Sequence, residues 1–240
     1  VFAVAGVTHS VNIIDGLNGL ASGAVSIMLG GLATLAWLHG DELVMKLCLW
    51  GIASLIGFLV LNYPFGKIFL GDGGAYLAGF WLAECAVLLL ARNPEISTWS
   101  VLLCCIYPVF ETVYSMYRRH VIHRVPSGLP DMGHMHQLLF KQLSASRWFR
   151  SQAGKPWLGH GLTSAKIWAM TALCQLIATA APGNSLSNGA AVLLVCAVYV
   201  ATHKALAGDS QAHVRRPNVR LNAVSDLPST DSAATENTAA

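Results

Sequence analysis

The sequence contains few charged residues: 11% of its 240 residues are Asp, Glu, Lys or Arg, whereas a soluble globular domain carries about 25%. Hydrophobic residues make up 54% of the chain, and the mean hydropathy is +0.53. This shortage of charge argues against an ordinary soluble domain and predicts a polytopic membrane protein. The net charge of +3 is too small to indicate a nucleic-acid partner, and we expect none.

Several motifs of soluble enzymes and metal proteins are missing. The chain has no Walker GxxxxGK[ST] sequence and no dinucleotide-binding GxGxxG sequence, so a nucleotide cradle of the soluble type is not indicated. The cysteines lie inside apolar runs without a CxxC pair, which favours packing residues over disulfides or zinc ligands. The first residues, VFAVAGV, lack the basic region of a signal peptide, and we interpret them as the end of an apolar helix in an N-terminally truncated chain.

Six apolar segments approach the roughly 20 residues that a membrane-spanning helix needs. These segments are 22–38, 43–61, 75–91, 98–116, 163–181 and 189–206. Residues 1–8 resemble part of a seventh. We therefore predict an all-α, polytopic membrane helical bundle over residues 1–206, with about six full transmembrane helices. A polar tail over residues 207–240 has no apolar period and is predicted to be disordered.

Basic residues indicate the orientation, because they concentrate on the cytoplasmic side of a membrane. If the Asp15 loop, the 62–74 loop, the 117–162 loop and the tail share one side, most of the basic residues lie there. These residues are Lys67, Arg118, Arg119, Arg124, Lys141, Arg147, Arg150, Lys155, Arg215, Arg216 and Arg220. We therefore expect the Asp15 side to be cytoplasmic.

The first polar cluster lies in the segment VNIIDGLNGLASG, residues 11–23. It contains Asn12, Asp15 and Asn18, whose i, i+3, i+6 spacing places all three near one helix face if the segment is helical. A structural role stays open, in which Asp15 caps a helix and the neighbouring glycines ease packing.

Two further clusters fall on the same side of the predicted bundle. Asp72 lies between glycines in KIFLGDGGAYLAGF, just before an apolar helix, where free backbone N–H groups and the positive helix end are available. Asp131, His134 and His136 lie in PDMGHMHQLLFKQL, inside a basic segment. Each feature alone also fits a turn residue or an interfacial histidine. Ionisable groups at membrane depth tend to mark function, and the three clusters together indicate a site.

These residue types indicate phosphate chemistry. Carboxylates such as Asp15 and Asp72 can bind Mg²⁺, which neutralises phosphoryl oxygens and needs only one or two protein carboxylates. Basic and imidazole side chains stabilise the remaining negative charge. Arg118 and Arg119 are candidates for this role, although marking the cytoplasmic side would be their ordinary function.

Three segments together resemble consecutive signatures of one family, the polyprenyl-phosphate N-acetylhexosamine-1-phosphate transferases. They are HSVNIIDGLNGLASG, KIFLGDGGAYLAGF and PVFETVYSMYRRHVIHRVPSGLPDMGHMHQLLF. This family, glycosyltransferase family 4, includes the undecaprenyl-phosphate GlcNAc-1-phosphate transferase and the phospho-MurNAc-pentapeptide transferase. The order, spacing and intervening helices agree from Val1 to about Leu206.

The resemblance implies a Mg²⁺-dependent phosphotransferase of the bacterial inner membrane, with Mn²⁺ as an alternative ion. Such enzymes transfer a HexNAc-1-phosphate, here favoured to be GlcNAc-1-phosphate, from a UDP-sugar to undecaprenyl phosphate and release UMP. They initiate lipid-linked glycans such as O-antigen lipopolysaccharide, teichoic acid or related cell-wall polysaccharides. The implied partners are UDP-HexNAc, undecaprenyl phosphate and the lipid bilayer. The sequence does not set the oligomeric state, and a homodimer stays open.

By position, the resemblance implies catalytic roles for Asp15 and Asp72, with Asp72 as the Mg²⁺ ligand and Asp15 in the uridine-sugar pocket. It implies that the two histidines lie near the diphosphate or the sugar. Together with the arginines suggested by their charge, the predicted substrate-binding set is Asn12, Asn18, His134, His136, Arg118 and Arg119.

The chain departs from the family pattern at three points. Asn18 stands where many members carry Asp, which leaves it a hydrogen-bonding role. The pattern His134-Met135-His136 replaces the three consecutive histidines of the pentapeptide transferases, so we favour the GlcNAc or O-antigen branch. The paired Asp-Asp motif, which precedes the first motif in the family, is absent; truncation explains this, and a catalytically dead homologue is the alternative.

Other interpretations stay open at the level of sequence. A membrane transporter also uses polar groups inside glycine-broken helices, although it would place them near the midplane and often in repeated halves. Glu111 is a weak site candidate, and Glu84 is expected to be a buried partner of another helix. The segment 141–162 is predicted to be a loop that selects the sugar or anchors the interface through aromatic and basic residues.

Overall fold

The described part of the chain is built from helices. The structure, a computed structural model, describes residues 1–124, 131, 133–146, 149, 151 and 155–214, and no strand occurs among them. The helices are α1 (Phe2–Ile14), α2 (Leu20–Leu38), α3 (Glu42–Asn62), α4 (Gly71–Arg92), α5 (Thr98–Cys104), α6 (Ile106–Tyr117), α7 (Met135–Ala145), α8 (Pro156–Ala180) and α9 (Ser185–Val214). A π-helical turn, Arg118–His123, continues α6. The predicted all-α, polytopic bundle is confirmed.

Five of the predicted spans form single helices. Within the described residues, α2, α3, α4 and the Ser185–Gly208 part of α9 are long and apolar enough to cross a membrane, and the bent pair α5–α6 makes a fifth. By length and composition, the described residues thus contain four or five candidate spans, beside the about six that the sequence predicts. The difference is α8, which is long enough but carries polar side chains such as Thr171 and Gln175 that turn into the bundle.

Helix α2 lies at the centre of the bundle. It contacts α1, α3, α4, α5 and α8, and its residues LASGAVSIMLGGLATLAWL are rich in Gly, Ala and Ser, which let neighbouring helices approach closely. Gly23 illustrates the principle, because the ring of Trp168 from α8 occupies the space that a larger side chain there would need. The position of α2 fixes where the first polar motif, at its N-terminal end, meets the other motifs.

The span predicted over 98–116 is broken. Helices α5 and α6 meet at an angle of 82°, with Cys105 between them in a non-helical conformation. Pro108 has no N–H to donate to the carbonyl of Cys104, and that carbonyl instead accepts a hydrogen bond from Gln175 Nε2 at 3.0 Å. A proline combined with an alternative donor on α8 therefore explains the break.

The bundle has two distinct ends. At one end, the connectors between spans bond to one another: Ser97 N–H donates to Pro182 O at 2.9 Å, and the hydroxyls of Ser97 and Ser185 are 3.0 Å apart. At the other end, Asn18 Nδ2 donates to Pro64 O at 2.8 Å and Ser164 Oγ donates to Asn18 O at 2.9 Å. His136 of the third motif packs against Gly16 of the first, so the three polar motifs lie at the same end of the bundle, as the sequence predicts.

Two boundaries differ from the prediction. The segment 141–162 is largely helical where it is described, because α7 extends to Ala145 and α8 begins at Pro156; Trp157 packs on Phe65 with ring centroids 5.0 Å apart. Helix α9 continues to Val214, past the predicted end of the bundle at residue 206. The rest of the predicted disordered tail, residues 215–240, lies outside the described residues, as do Arg147 and Trp148.

Asp41 ties α3 to α4 at the end opposite the motifs. Its buried carboxylate accepts hydrogen bonds from Arg92 Nε at 2.8 Å, Asn93 Nδ2 at 3.0 Å and the N–H of Val44 at 3.3 Å. The hydrogen bond from Arg92 lowers the pKa of Asp41 below its usual value of 3.8. A depressed carboxyl pKa contributes stability above the unfolded value, and this contribution is lost as the pH falls through the folded value.

Asp41→Ala should therefore lower the thermal midpoint in detergent at pH 7 by about 5 °C, because the cap and the bridge to α4 are lost together. The matched control is Glu42→Ala, since the neighbouring Glu42 makes only an exposed pair with Lys46 and such pairs contribute little. Equal midpoints for the two variants would contradict a bracing role for Asp41.

Candidate active site

A polar cavity of 260 Å³ opens at the motif end of the bundle. The first and second motifs both contribute to its wall, since α2 and α4 begin beside it and α1 ends there. Its lining residues are Asn12, Asp15, Gly16, Leu17, Asn18, Asn62, Phe69, Leu70, Gly71, Asp72 and His160. Residues far apart in sequence therefore form one site.

The two aspartates of the cavity act on each other electrostatically. Asn12 Nδ2 donates to Asp72 Oδ1 at 3.0 Å across 60 residues of sequence, which orients the Asp72 carboxylate. Burial, and secondly the negative charge of Asp72, raise the pKa of Asp15 from 3.8 to about 6. No Lys or Arg of the described chain lines the cavity, so it concentrates negative charge that a bound cation would neutralise.

The walls of the cavity are braced by two asparagines. Asn62, at the end of α3, accepts from the N–H of Gly19 at 2.5 Å and donates to Ile68 O at 2.6 Å. Gly19 begins α2 with φ of 74°, a conformation that glycine adopts without strain. Asn18 donates to Pro64 O, so its amide group braces the loop after α3. These bonds fix the start of α2 relative to the loop that leads to Asp72.

The third motif forms a network around Asp131. The Asp131 carboxylate accepts from Ser115 Oγ at 2.7 Å, from Arg118 Nη2 at 2.5 Å and from the N–H of Gly133 at 2.9 Å. These hydrogen bonds and the charge of Arg118 lower the pKa of Asp131 despite its partial burial. The carbonyl of Gly133 lies 2.8 Å from His203 Nε2 on α9. Arg118 therefore anchors the histidine segment to α6.

The two histidines connect this network to the first motif. His134 and His136 stack with ring centroids 5.7 Å apart and an angle of 4° between the ring planes. His136 is 1% exposed, and its desolvation lowers its pKa to about 4, so the ring is neutral at pH 7. A Cβ atom built on Gly16 would lie 2.8 Å from His136 Nε2. The third motif therefore packs directly against the residue that follows Asp15.

The structure brings most of the predicted site residues together. Asn12, Asp15, Asn18 and Asp72 line the cavity, whereas the two histidines lie behind Gly16 and do not line it. Arg118 is paired with Asp131, and Arg119 follows it in the π-helical turn. Sequence reasoning did not identify Asn62 and His160 as cavity residues; the signal for Asn62 was a lone amide at the end of an apolar run.

Gly16→Ala should lower turnover by about tenfold or more, because the added Cβ displaces the buried ring of His136, and a displacement of about 1 Å near a reacting group has large effects on rate. Gly6→Ala is the matched control, since nothing lies within 4 Å of a Cβ at that position in α1. The measurement is the initial rate of nucleotide release from a UDP-sugar, the reaction that the sequence resemblance implies. A wild-type rate for Gly16→Ala would show that the contact between the motifs is not required.

The cavity is suited to an ion that needs few protein ligands. Among the described residues, no group of three or more His, Cys, Asp or Glu side chains has the arrangement of a metal site. A pair of carboxylates next to open space instead fits Mg²⁺, which keeps several waters and binds through one or two carboxylates together with substrate phosphates. The repulsion between Asp15 and Asp72 supports this assignment, because a divalent cation between them would remove it.

The fold and the cavity define the class: a multi-pass helical membrane protein with a carboxylate-lined polar site at one end of its bundle. Residues 1–90 match the model of a family described as glycosyl transferase family 4. These matched residues contain the first two motifs and the whole wall of the cavity except His160.

Curated relatives carry two related names. A probable undecaprenyl-phosphate N-acetylglucosaminyl 1-phosphate transferase of Bacillus subtilis (strain 168) is 34% identical over 139 residues, which cover 57% of this chain and 38% of that protein. A phospho-N-acetylmuramoyl-pentapeptide-transferase of Limosilactobacillus fermentum is 32% identical over 148 residues, or 62% of this chain and 44% of that protein. A phospho-N-acetylmuramoyl-pentapeptide-transferase of Lactiplantibacillus plantarum is 40% identical over 84 residues, which cover 35% of this chain and 26% of that protein.

These matches agree with the resemblance that the motifs indicate: residues 1–90 match the model of glycosyl transferase family 4, and the relatives are named as an undecaprenyl-phosphate N-acetylglucosaminyl 1-phosphate transferase and as phospho-N-acetylmuramoyl-pentapeptide-transferases. The chain spans less than half the length of the curated relatives that it matches.

Proposed function

We propose that the protein transfers a HexNAc-1-phosphate, with GlcNAc-1-phosphate as the favoured group, from a UDP-sugar to undecaprenyl phosphate and releases UMP. The observation that carries the proposal is the cavity in which Asp15 and Asp72 face each other beside the amide of Asn12. The GlcNAc-1-phosphate transferase name of the Bacillus relative and the His-Met-His pattern support the choice of sugar. The site would face the cytoplasm of a bacterial inner membrane.

In the proposed reaction, an oxygen of the lipid phosphate attacks the β-phosphorus of the UDP-sugar. The bond between that phosphorus and the bridging oxygen breaks, and UMP leaves with the bridging oxygen. Asp72 and Asp15 are the residues that would hold Mg²⁺, with Mn²⁺ as an alternative. When bound, the ion supplies positive charge to the diphosphate oxygens.

The side chains of the cavity have separate tasks in this scheme. Asn12 fixes the orientation of Asp72 through its hydrogen bond. Asp15 positions the nucleotide diphosphate; it need not act as a base, because a phosphate monoester is largely ionised at neutral pH. His136 stays neutral and packs against Gly16 behind the cavity, which supports the first motif, while Arg118 holds the histidine segment in place through Asp131.

The competing functions make different predictions. A transporter would hold its substrate near the midplane of the membrane, whereas the cavity lies at one end of the bundle, beside the connectors that follow α1 and α3. The pentapeptide transferase alternative differs from the proposed function in the sugar donor alone.

The test supplies the complete gene product, in membranes, with undecaprenyl phosphate and UDP-GlcNAc labelled in both the sugar and the uridine. We expect the sugar label in the organic phase and an equal amount of labelled UMP in the aqueous phase. UDP-MurNAc-pentapeptide is offered in parallel, and its exclusive use would assign the protein to the other branch. Labelled nucleotide sugar that crosses sealed vesicles intact would indicate a transporter, and no reaction with any donor would indicate an inactive homologue.

A further inference from the structure

Glu111 is a buried carboxyl group for which the proposed reaction has no task. It lies in the middle of α6, is 1% exposed, and lies outside the lining of the polar cavity. Burying a carboxylate costs several kcal/mol unless hydrogen bonds and charges compensate for the lost hydration. The partners of Glu111 therefore indicate what it does.

The Oε1 atom of Glu111 bonds to the histidine segment. It lies 3.0 Å from Nδ1 of His134 and accepts a hydrogen bond from the N–H of Met135 at 3.0 Å. Met135 is the first residue of α7, so Glu111 satisfies one of the free N–H groups at the start of that helix. A carboxylate on α6 thus fixes both the beginning of α7 and one ring of the histidine pair.

The hydrogen bond also sets the tautomer of His134. When Nδ1–H donates to a carboxylate, the proton is held on Nδ1. Nε2 of His134 lies 3.7 Å from Asp131 Oδ2, so the ring is held between two carboxylates. The ring of His134 therefore has one tautomer and one orientation set by its neighbours.

Direct contacts connect the ring of His134 to the wall of the cavity. His136 stacks parallel to His134, and its Nε2 atom packs against Gly16, the residue next to Asp15. The contacts therefore run without interruption from Glu111 through the two stacked rings to the first motif.

We propose that Glu111 is a positioning residue for the histidine pair: its carboxylate fixes the tautomer and the orientation of His134, and through the stacked ring it holds His136 against Gly16. The consequence for catalysis rests on the proposed transferase function. The consequence for the tautomer of His134 does not depend on that function.

The kinetic test is a double-mutant cycle in the complete gene product, with kcat and KM measured for Glu111→Gln, His134→Ala and the double variant. Gln keeps an oxygen that accepts from Met135 N–H, so α7 should still form, but it lacks the negative charge that strengthens the hydrogen bond from His134 Nδ1. We expect kcat to fall about 10–100-fold in Glu111→Gln, the range found for residues that orient catalytic ligands, with KM for the UDP-sugar within about twofold. If Glu111 acts through His134, the double variant is no slower than His134→Ala alone.

Two controls separate positioning from folding. Glu84→Gln removes another carboxyl group from an apolar helix, but Glu84 is exposed on α4, so this variant should retain wild-type kcat. The exposure of Glu84 also corrects the expectation that it is a buried partner of another helix. The thermal midpoint of Glu111→Gln should match that of Glu84→Gln. The proposal would be overturned if the double variant had a lower kcat than His134→Ala alone, or if Glu111→Gln kept the wild-type kcat.

The second measurement does not need an active enzyme. Long-range ¹H–¹⁵N spectra of ¹⁵N-histidine-labelled protein, with His134→Ala used to assign the ring, report which nitrogen of His134 carries the proton. We expect the Nδ1–H form in the wild type and a mixture of tautomers in Glu111→Ala, which removes the acceptor of the Nδ1–H bond. The same tautomer in both proteins would overturn the proposal. An inactive wild type with the expected spectra would contradict the transferase function alone.

Discussion

Asp72→Asn is expected to lower kcat by about 10³-fold, because the variant removes the negative charge that would hold Mg²⁺ at the phosphates, and the loss of one preorganised electrostatic group costs about 10²–10³-fold. The amide that replaces the carboxylate can still pair with Asn12, so the fold of the α4 N-terminus should persist. The measurement is the rate of UMP release from UDP-GlcNAc at Mg²⁺ concentrations from micromolar to tens of millimolar. The Mg²⁺ concentration for half-maximal rate should rise in the variant.

The matched control for Asp72→Asn is Glu95→Gln, which neutralises an exposed carboxyl group in the connector between α4 and α5 at the other end of the bundle. This control should keep both the wild-type rate and the wild-type dependence on Mg²⁺. Unchanged Mg²⁺-dependent turnover in Asp72→Asn would remove the proposed metal role of Asp72.

Asp15→Asn is expected to lower the activity and to raise the stability of the protein. The kcat should fall by about 10²-fold or more, while the thermal midpoint of the magnesium-free protein should rise. The wild-type carboxyl group is partly buried and lies in the field of Asp72, which together raise its pKa to about 6. Replacing it by an amide removes the unfavourable charge. The gain should disappear when Mg²⁺ and UDP are added, because the ligands stabilise the wild type more strongly.

The pH dependence of stability checks whether the charged Asp15 carboxylate destabilises the magnesium-free protein. A carboxyl group with a raised pKa binds its proton more tightly in the folded state, so its stabilising effect is present below the unfolded value of 3.8 and is lost as the pH rises through about 6. The magnesium-free wild type should therefore lose stability relative to Asp15→Asn between about pH 4 and pH 6. Parallel curves for the two proteins would show that Asp15 is not destabilised by its surroundings.

The convergence of the first two motifs could be predicted from the sequence because alternating apolar spans place every second connector at the same end. Asp15 and Asp72 are separated by two spans, α2 and α3, so both fall at one end whatever the details of packing. Their common cavity follows from this topology and from the glycines around each aspartate. Polar residues are rare within the apolar part of the chain, which made these positions visible.

Other features depended on contacts that no local pattern encodes. The break between α5 and α6 needs Gln175 on α8 to bond the carbonyl that Pro108 leaves without its usual donor. Asn62 lies in the site because its side-chain oxygen, at the end of α3, accepts a hydrogen bond from the N–H of Gly19, at the start of α2. The packing of His136 against Gly16 joins two segments far apart in sequence, and spacing within either segment gives no indication of it.

The pairing of Arg118 with Asp131 changes the interpretation of the basic segment. From sequence, Arg118 and Arg119 were predicted to bind substrate as positive charges near the phosphates. Arg118 instead contacts a carboxylate three residues before His134, which places its charge in the support of the histidine segment. Acidic partners within a basic segment are the signal by which such a supporting role could be recognised.

The most direct test of the account asks whether Asp15 and Asp72 hold one cation together with the nucleotide. Electron paramagnetic resonance of Mn²⁺, titrated with UDP into the complete gene product, counts the bound ion without requiring turnover. We predict one Mn²⁺ bound per chain in the wild type when UDP is present, and loss of that bound ion in both Asp15→Asn and Asp72→Asn. Full Mn²⁺ binding in both variants would contradict the central claim.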